Sequence, residues 1–122
     1  MAGTILIVDD EPDILNVTAT SLGYLGYRII PVYDAEAAMA ALEKTIPNLI
    51  LMDLMLPTMH GDELCRRLKS DERYCHIPVI LFTASNLSHD LPKMIKNTHA
   101  DDVLVKPFRP EELKAKVKKL IS

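Results

Sequence analysis

Five residues able to do chemistry stand at the ends of short apolar runs in this chain. Asp9 and Asp10 follow Ile5-Leu6-Ile7-Val8, Asp53 follows Leu49-Ile50-Leu51-Met52, Thr83 follows Val79 to Phe82, and Lys106 follows Val103 to Val105. Taken singly, each has a plainer explanation: an acidic pair after a strand is usually a solvated turn, and most lysines only solubilise. Brought to one rim, they make a reactive set. Three carboxylates held close repel one another unless a cation lies between them, and hard oxygen donors with room for water suit Mg2+ or Mn2+. A lysine and a hydroxyl beside them fit an incoming anion, with phosphate the natural candidate. A carboxylate next to such a cation can itself attack a phosphoryl group. Metal, lysine and hydroxyl then neutralise charge on the equatorial oxygens, and the product is an aspartyl phosphate.

The elements that must position these groups are legible from the same runs. Thr4 to Val8, Arg28 to Val32, Leu49 to Met52, Val79 to Phe82 and Val103 to Val105 are short, continuously apolar and rich in Ile, Val and Leu, as strands buried on both faces are. Helical patterns alternate with them. The first is expected over about Asp13 to Leu22, closed by Gly23 or Gly26, the second after Asp34 through Leu42, and the third from Asp62 to about Lys69. Pro92 fits a helix only in its first turn, which places the fourth at about Leu91 to Thr98. The fifth starts near Pro110 with Leu113, Val117, Leu120 and Ile121 inward and its lysines outward.

Strand and helix alternating five times predict an α/β fold, a five-stranded parallel sheet with five helices on both faces. Pro31 lacks the N–H of a central strand, so the second strand belongs on an edge, which fits the doubly wound, flavodoxin-like order 2-1-3-4-5. Ligands of such sheets bind beyond the carboxyl ends of the strands, where the strand order reverses.

A chain of 122 residues, 48% hydrophobic and 25% charged, is sized for one domain over residues 1–122. The formal charge of −3, with basic residues scattered except for Lys114, Lys116, Lys118 and Lys119 at the end, gives little support to direct nucleic-acid binding. No apolar run approaches the length of a membrane span, and the start lacks a basic region followed by a long apolar stretch. A cytoplasmic protein with no membrane contact is expected. Cys65 and Cys75 read as reduced thiols, and His60, His76, His89 and His99 lie away from strand ends and are assigned no metal role.

The motifs Val8-Asp9-Asp10-Glu11, Met52-Asp53-Leu54-Met55-Leu56-Pro57 with Gly61 following, Phe82-Thr83-Ala84, and Ala100-Asp101-Asp102 leading to Val105-Lys106-Pro107-Phe108 resemble the receiver domains of two-component response regulators. The resemblance covers nearly the whole chain. It implies that Asp53 accepts phosphate from a sensor histidine kinase or histidine phosphotransfer protein. By the same resemblance, Asp10 and Asp53 ligate Mg2+ directly, Asp9 acts commonly through water, and the Met55 carbonyl completes the protein ligands. Lys106 is implied to pair with the phosphoryl group, Thr83 to move toward it, the Ala84 amide to donate to it, and the Lys106-Pro107 bond to be cis. The expected role is a phosphorylation-controlled interaction switch rather than an enzyme, a monomer or phosphorylation-dependent dimer, signalling to a protein partner through the fourth helix, fifth strand and fifth helix.

The sequence also departs from that pattern. Val103 stands where many receivers carry a Tyr or Phe, which removes the ring that swings inward in them. The segment from Asn86 to His99, with Pro92 and without the usual glycine before Ala100, predicts an altered or mobile fourth helix. Met55 places an apolar side chain two residues past Asp53, where it is expected to shield a phosphoryl group from water. The chain stops after the fifth helix, so no output domain is expected to follow.

Other readings fit less well. A haloacid-dehalogenase-type phosphatase wants a second Asp at position 55, where Met55 stands, and a flavodoxin-like cofactor binder wants a glycine- or hydroxyl-rich loop where Asp9-Asp10-Glu11-Pro12 would repel phosphate. The remaining alternative is a receiver-fold interaction module, or a phosphate sink with weak switching.

Overall fold

The computed structural model describes residues 3–84 and 91–121. In chain order the elements are β1 (Thr4–Val8), α1 (Pro12–Gly23), β2 (Arg28–Val32), α2 (Ala35–Lys44), β3 (Leu49–Asp53), α3 (Gly61–Lys69), β4 (Val79–Ala84), α4 (Leu91–Thr98), β5 (Asp102–Lys106) and α5 (Pro110–Leu120). The strands form one parallel sheet in the order β2-β1-β3-β4-β5. The expected order is found, and the edge place that Pro31 predicted for β2 holds, with Pro31 exposed on it.

Two apolar layers cover the sheet. Alternate residues of the central strands point to opposite faces, so Leu6, Val8, Ile50, Met52 and Leu81 pack with α2 and α3, and with Met94 and Ile95 of α4. Ile5, Ile7, Leu49, Leu51, Ile80 and Phe82 pack on the other face with Leu15 and Leu22 of α1 and Leu113 and Val117 of α5. Val103 is buried in the first of these layers, and Leu104 in the second.

Helix starts follow local chemistry. Asp34 caps α2 by accepting a 2.7 Å bond from the Ala37 N–H, while Pro12 and Pro110 open α1 and α5 at positions that need no donor. Several expected bounds need correction. Helix α1 begins at Pro12 rather than Asp13 and runs through Gly23, and α3 begins at Gly61 rather than Asp62. Three strands outlast their apolar runs: β3 includes Asp53, β4 includes Thr83 and Ala84, and β5 extends from Asp102 to Lys106. The ladder continues there because the backbone partners continue, with Asp53 opposite Phe82 and Ala84 opposite Lys106. Nor do all the lysines of α5 face only solvent, since Lys116 Nζ donates to both Asp102 oxygens at 3.0 and 3.1 Å.

Part of the segment expected to be unusual, residues 86–90 with His89, lies outside the described residues. The helix that follows spans Leu91–Thr98 as expected and is tied to α3, where the Cys65 thiol donates to the Thr98 carbonyl at 3.4 Å; Lys69 Nζ, also of α3, reaches Asp101 before β5 at 2.7 Å and the Ile77 carbonyl before β4 at 2.8 Å. Both cysteines are free, Cys65 buried and Cys75 exposed, and burial pushes the Cys65 thiol up to about 11.

His99 ends this helix in the left-handed region, φ 62°, its N–H bonded to the Ile95 carbonyl at 2.8 Å. A side chain at positive φ is strained where glycine is not. His99→Gly is therefore expected to stabilise the fold by about 0.5–1 kcal/mol, the relieved strain being partly offset by glycine's greater freedom when unfolded. Thermal unfolding checks this: a rise of about 2–5 °C is expected, and a fall would show that the His99 side chain contributes more than its backbone strain removes.

Candidate phosphoryl-acceptor site

The parallel register carries the candidate residues to one edge of the sheet. Val8 pairs with Met52, Asp53 with Phe82, and Ala84 with Lys106, so the carboxyl ends of β1, β3, β4 and β5 meet. Asp9 continues β1, its N–H bonded to the Val32 carbonyl at 3.1 Å, and is fully buried. One carboxylate oxygen from each of Asp9, Asp10 and Asp53 lies within 4.8 Å of the others. Asp10 is exposed, whereas Asp53 is buried at the end of β3.

Lys106 is the cation of the cluster. Its Nζ lies 2.9 Å from Asp9 Oδ2, 3.2 Å from Glu11 Oε1 and 3.4 Å from Asp53 Oδ2. The Lys106-Pro107 bond is cis, and the ammonium sits 5.9 Å from the centre of the Phe82 ring, which packs on Phe108 at 5.1 Å between centroids.

Burial raises the pKa of Asp53. The Lys106 charge opposes this and the Asp9 charge adds to it, so ionised Asp53 is held at an energetic disadvantage. Burial pulls the Lys106 pKa down, but the Asp9 hydrogen bond and the surrounding carboxylates outweigh it and leave the ammonium above its ordinary value. The result is an anionic excess: Asp9, Asp10, Glu11 and Asp53 face one lysine. Hard oxygen donors grouped this way fit a divalent cation such as Mg2+.

Thr83 is fully buried, and its hydroxyl donates to the Ala84 carbonyl at 3.5 Å, while Ala84 at the end of β4 is exposed. The Met55 N–H donates to Asp53 Oδ1 at 3.4 Å, and the Met55 side chain is half exposed. Asp9, Asp10 and Asp53 thus come together within 4.8 Å, Lys106 contacts Asp9 and Asp53, and Thr83 and Ala84 lie on the adjoining strand. His60, His76 and His99 are exposed and outside the carboxylate cluster.

Two residues take on parts that their sequence motif alone did not define. Gly61 is buried where a Cβ would lie 2.2 Å from the Asp53 carbonyl oxygen, and its N–H donates to the Leu54 carbonyl at 2.8 Å. Only a residue without a side chain lets the loop close on β3 this tightly. Glu11, third in the acidic run, reaches Lys106 across the site.

Comparison with known proteins bears on the family of the chain. The profile of the response regulator receiver domain matches residues 5–118. The phosphate regulon transcriptional regulatory protein PhoB of Pseudomonas aeruginosa is 41% identical over 97% of this chain and 51% of its own length. A putative response regulator from Chloroflexus aurantiacus superposes with TM-score 0.91 at 28% identity, covering 98% of both chains. The receiver domain of a sensor histidine kinase from Pseudomonas aeruginosa, described with a magnesium ion coordinated in its active site cleft, superposes with TM-score 0.86 at 31% identity, again covering 98% of both.

The chain spans about half the length of the curated relatives it matches. Some of those are named as DNA-binding regulators, which does not fit an expectation of no direct nucleic-acid contact if that expectation is carried to proteins of their length. No helix among the described residues is long and apolar enough to cross a membrane. The strand order, the acid cluster beside a lysine and the match over residues 5–118 have one common account: this chain belongs to the response regulator receiver domain family.

Proposed function

We propose that residues 1–122 act as a single receiver domain in which Asp53 accepts a phosphoryl group from the phosphohistidine of a sensor kinase or histidine phosphotransfer protein. The observation that carries this reading is the cluster of Asp9, Asp10 and Asp53 with the Lys106 ammonium 3.4 Å from the Asp53 carboxylate. An Asp53 oxygen attacks phosphorus, an O–P bond forms as the P–N bond breaks, and the imidazole leaves with the electron pair and takes up a proton. Asp9, Asp10, Asp53 and the Met55 carbonyl are the residues that would hold Mg2+ or Mn2+, Asp9 through water. When bound, the metal supplies positive charge to the oxygens of the transferring group.

The chain's own residues do the rest. Lys106 pairs with the new phosphoryl oxygens, the Ala84 amide donates to them, and the Thr83 hydroxyl leaves the Ala84 carbonyl to do the same. About −2 of charge then sits against Lys106 and Thr83, and it shifts the surface formed by α4, β5 and α5 to the extent that it interacts differently with two arrangements of that surface. On this reading the protein is a cytoplasmic signalling phosphoacceptor. Its partners are a phosphodonor protein and a downstream protein on that face, its state a monomer or phosphorylation-dependent dimer.

The buried Val103 supports a second reading, in which phosphorylation is weakly coupled to the surface and the domain is an interaction module or phosphate sink. Partner affinity measured with and without phosphoryl donor separates the two. The primary test is intact mass after incubation with a small acyl phosphate and Mg2+. Gain of one phosphoryl group, lost when the metal is chelated, is expected; no gain, or a gain indifferent to chelation, contradicts the reading.

Met55 bears on lifetime. Its side chain is 51% exposed beside the acceptor, where an apolar group withholds hydrogen bonds from an attacking water. Met55→Asn is expected to speed loss of the phosphoryl group by about 3- to 10-fold. Decay of the phosphorylated mass measures it, and equal decay in both proteins removes Met55 from this role.

A further inference from the structure

We infer that Glu11 is a positioning residue that acts through Lys106 and competes with the phosphoryl group on Asp53 for the lysine's ammonium. The inference rests on the phosphoacceptor reading and deepens it. Three carboxylates share Lys106 Nζ, and the acceptor has the longest contact: Asp9 at 2.9 Å, Glu11 at 3.2 Å, Asp53 at 3.4 Å. The ammonium is thus drawn toward the turn between β1 and α1 and away from the atom it must serve.

The turn is built to hold Glu11 there. Its N–H donates to Asp9 Oδ1 at 2.9 Å while Asp9 Oδ2 takes Lys106, so one buried carboxylate fixes both partners. The Glu11 carbonyl accepts the Leu15 N–H at 3.0 Å and Pro12 follows as the first residue of α1, which locks the backbone on the other side. Only the Glu11 side chain is free to choose, since it is 59% exposed against 12% for Lys106 and 1% for Asp9.

Glu11 is not among the three acids whose oxygens converge within 4.8 Å. Its contact with Lys106 therefore needs an explanation other than membership of that cluster, and competition for the ammonium supplies one. Releasing Lys106 from Glu11 leaves it to Asp53 and to the oxygens of an incoming phosphoryl group. Phosphorylation should then be faster, by about 2- to 5-fold, the range that one partly exposed ion pair commands.

Loss of any nearby negative charge also favours an anionic donor, so the test separates contact from charge. The phosphorylation rate of the full chain with a small acyl phosphate and Mg2+ is measured for the parent, Glu11→Gln, Glu11→Asp and Asp13→Asn, and for Lys106→Met alone and combined with Glu11→Gln. Glu11→Gln is expected to be faster, Glu11→Asp to follow it because the shortened side chain keeps its charge but loses reach, and Asp13→Asn to match the parent. In the Lys106→Met background the Glu11 substitution should have no effect. A second readout needs no phosphoryl group: the side-chain nitrogen resonance of Lys106 in metal-free protein should move in Glu11→Gln and stay in Asp13→Asn. If Glu11→Gln gives the same gain without Lys106, or no gain while the parent is phosphorylated, the inference is overturned alone. If the parent accepts no phosphoryl group, the phosphoacceptor reading falls and the inference with it.

Discussion

Asp53→Asn is expected to accept no phosphoryl group and to unfold at a higher temperature than the parent in metal-free buffer at neutral pH. The first effect follows from the proposed role of Asp53, an amide replacing the carboxylate that would attack phosphorus. The second follows from the electrostatics: ionised Asp53 is buried at the end of β3 and repelled by Asp9, and the 3.4 Å contact with Lys106 does not fully compensate. Its pKa lies above the ordinary carboxylate value, so folding disfavours the charge at every pH where Asp53 is ionised. Removing the charge removes that penalty. For a chain of this size, each ~1 kcal/mol relieved raises the melting temperature by about 3–6 °C. Mg2+ should stabilise the parent by binding the folded state and stabilise Asp53→Asn much less. Thermal scans with and without metal, beside intact-mass measurements, test both halves. A variant less stable than the parent would mean that Lys106 outweighs burial and Asp9.

Gly61→Ala is expected to damage fold and acceptor together. The added Cβ would stand 2.2 Å from the Asp53 carbonyl oxygen, 3.0 Å from its carbonyl carbon and 3.1 Å from Leu54 Cα, all backbone atoms with little freedom to retreat. Overpacking of this kind costs about 2–3 kcal/mol, or roughly 10 °C in melting temperature. Because the displaced backbone carries Asp53, the proposed nucleophile, phosphorylation should slow by about 10- to 100-fold even at temperatures where the variant stays folded. Gly23→Ala is the control, since an added Cβ there meets nothing within 4 Å. It should be neutral or slightly stabilising in the last turn of α1. A Gly61→Ala protein as stable and as fast as the parent would show that the loop before α3 does not position Asp53.

Much of this arrangement is written in local patterns. Five apolar runs and one proline give the parallel strands and the edge place of β2, because a parallel strand must be buried on both faces and a proline cannot donate to a ladder. Four of these runs locate the rim, because polar residues with chemistry to do follow them; the run Arg28 to Val32 supplies none. Their bounds are less legible, since hydrophobicity ends before the ladder does: Asp53 and Thr83 are polar residues buried within strands, so β3 and β4 read short. The left-handed backbone of His99 is legible only through the resemblance, as the position before Ala100 where a glycine is usual, and the His99 N–H bond to the Ile95 carbonyl closes α4 there. Glu11 is hidden for another reason. Its partner lies 95 residues away, and in sequence it is one more acid at the start of a helix. Lys116 likewise reads as a solvated lysine until β5 brings Asp102 beneath it.

The central claim is that Asp53 carries the phosphoryl group, and chemical trapping addresses it most directly. The protein is treated with a small acyl phosphate and Mg2+, the acyl phosphate is reduced with borohydride to the corresponding alcohol, and the product is digested and sequenced by mass spectrometry. The account predicts homoserine at position 53 and unmodified aspartate at positions 9 and 10. Homoserine at either of those positions, or at none, would contradict it.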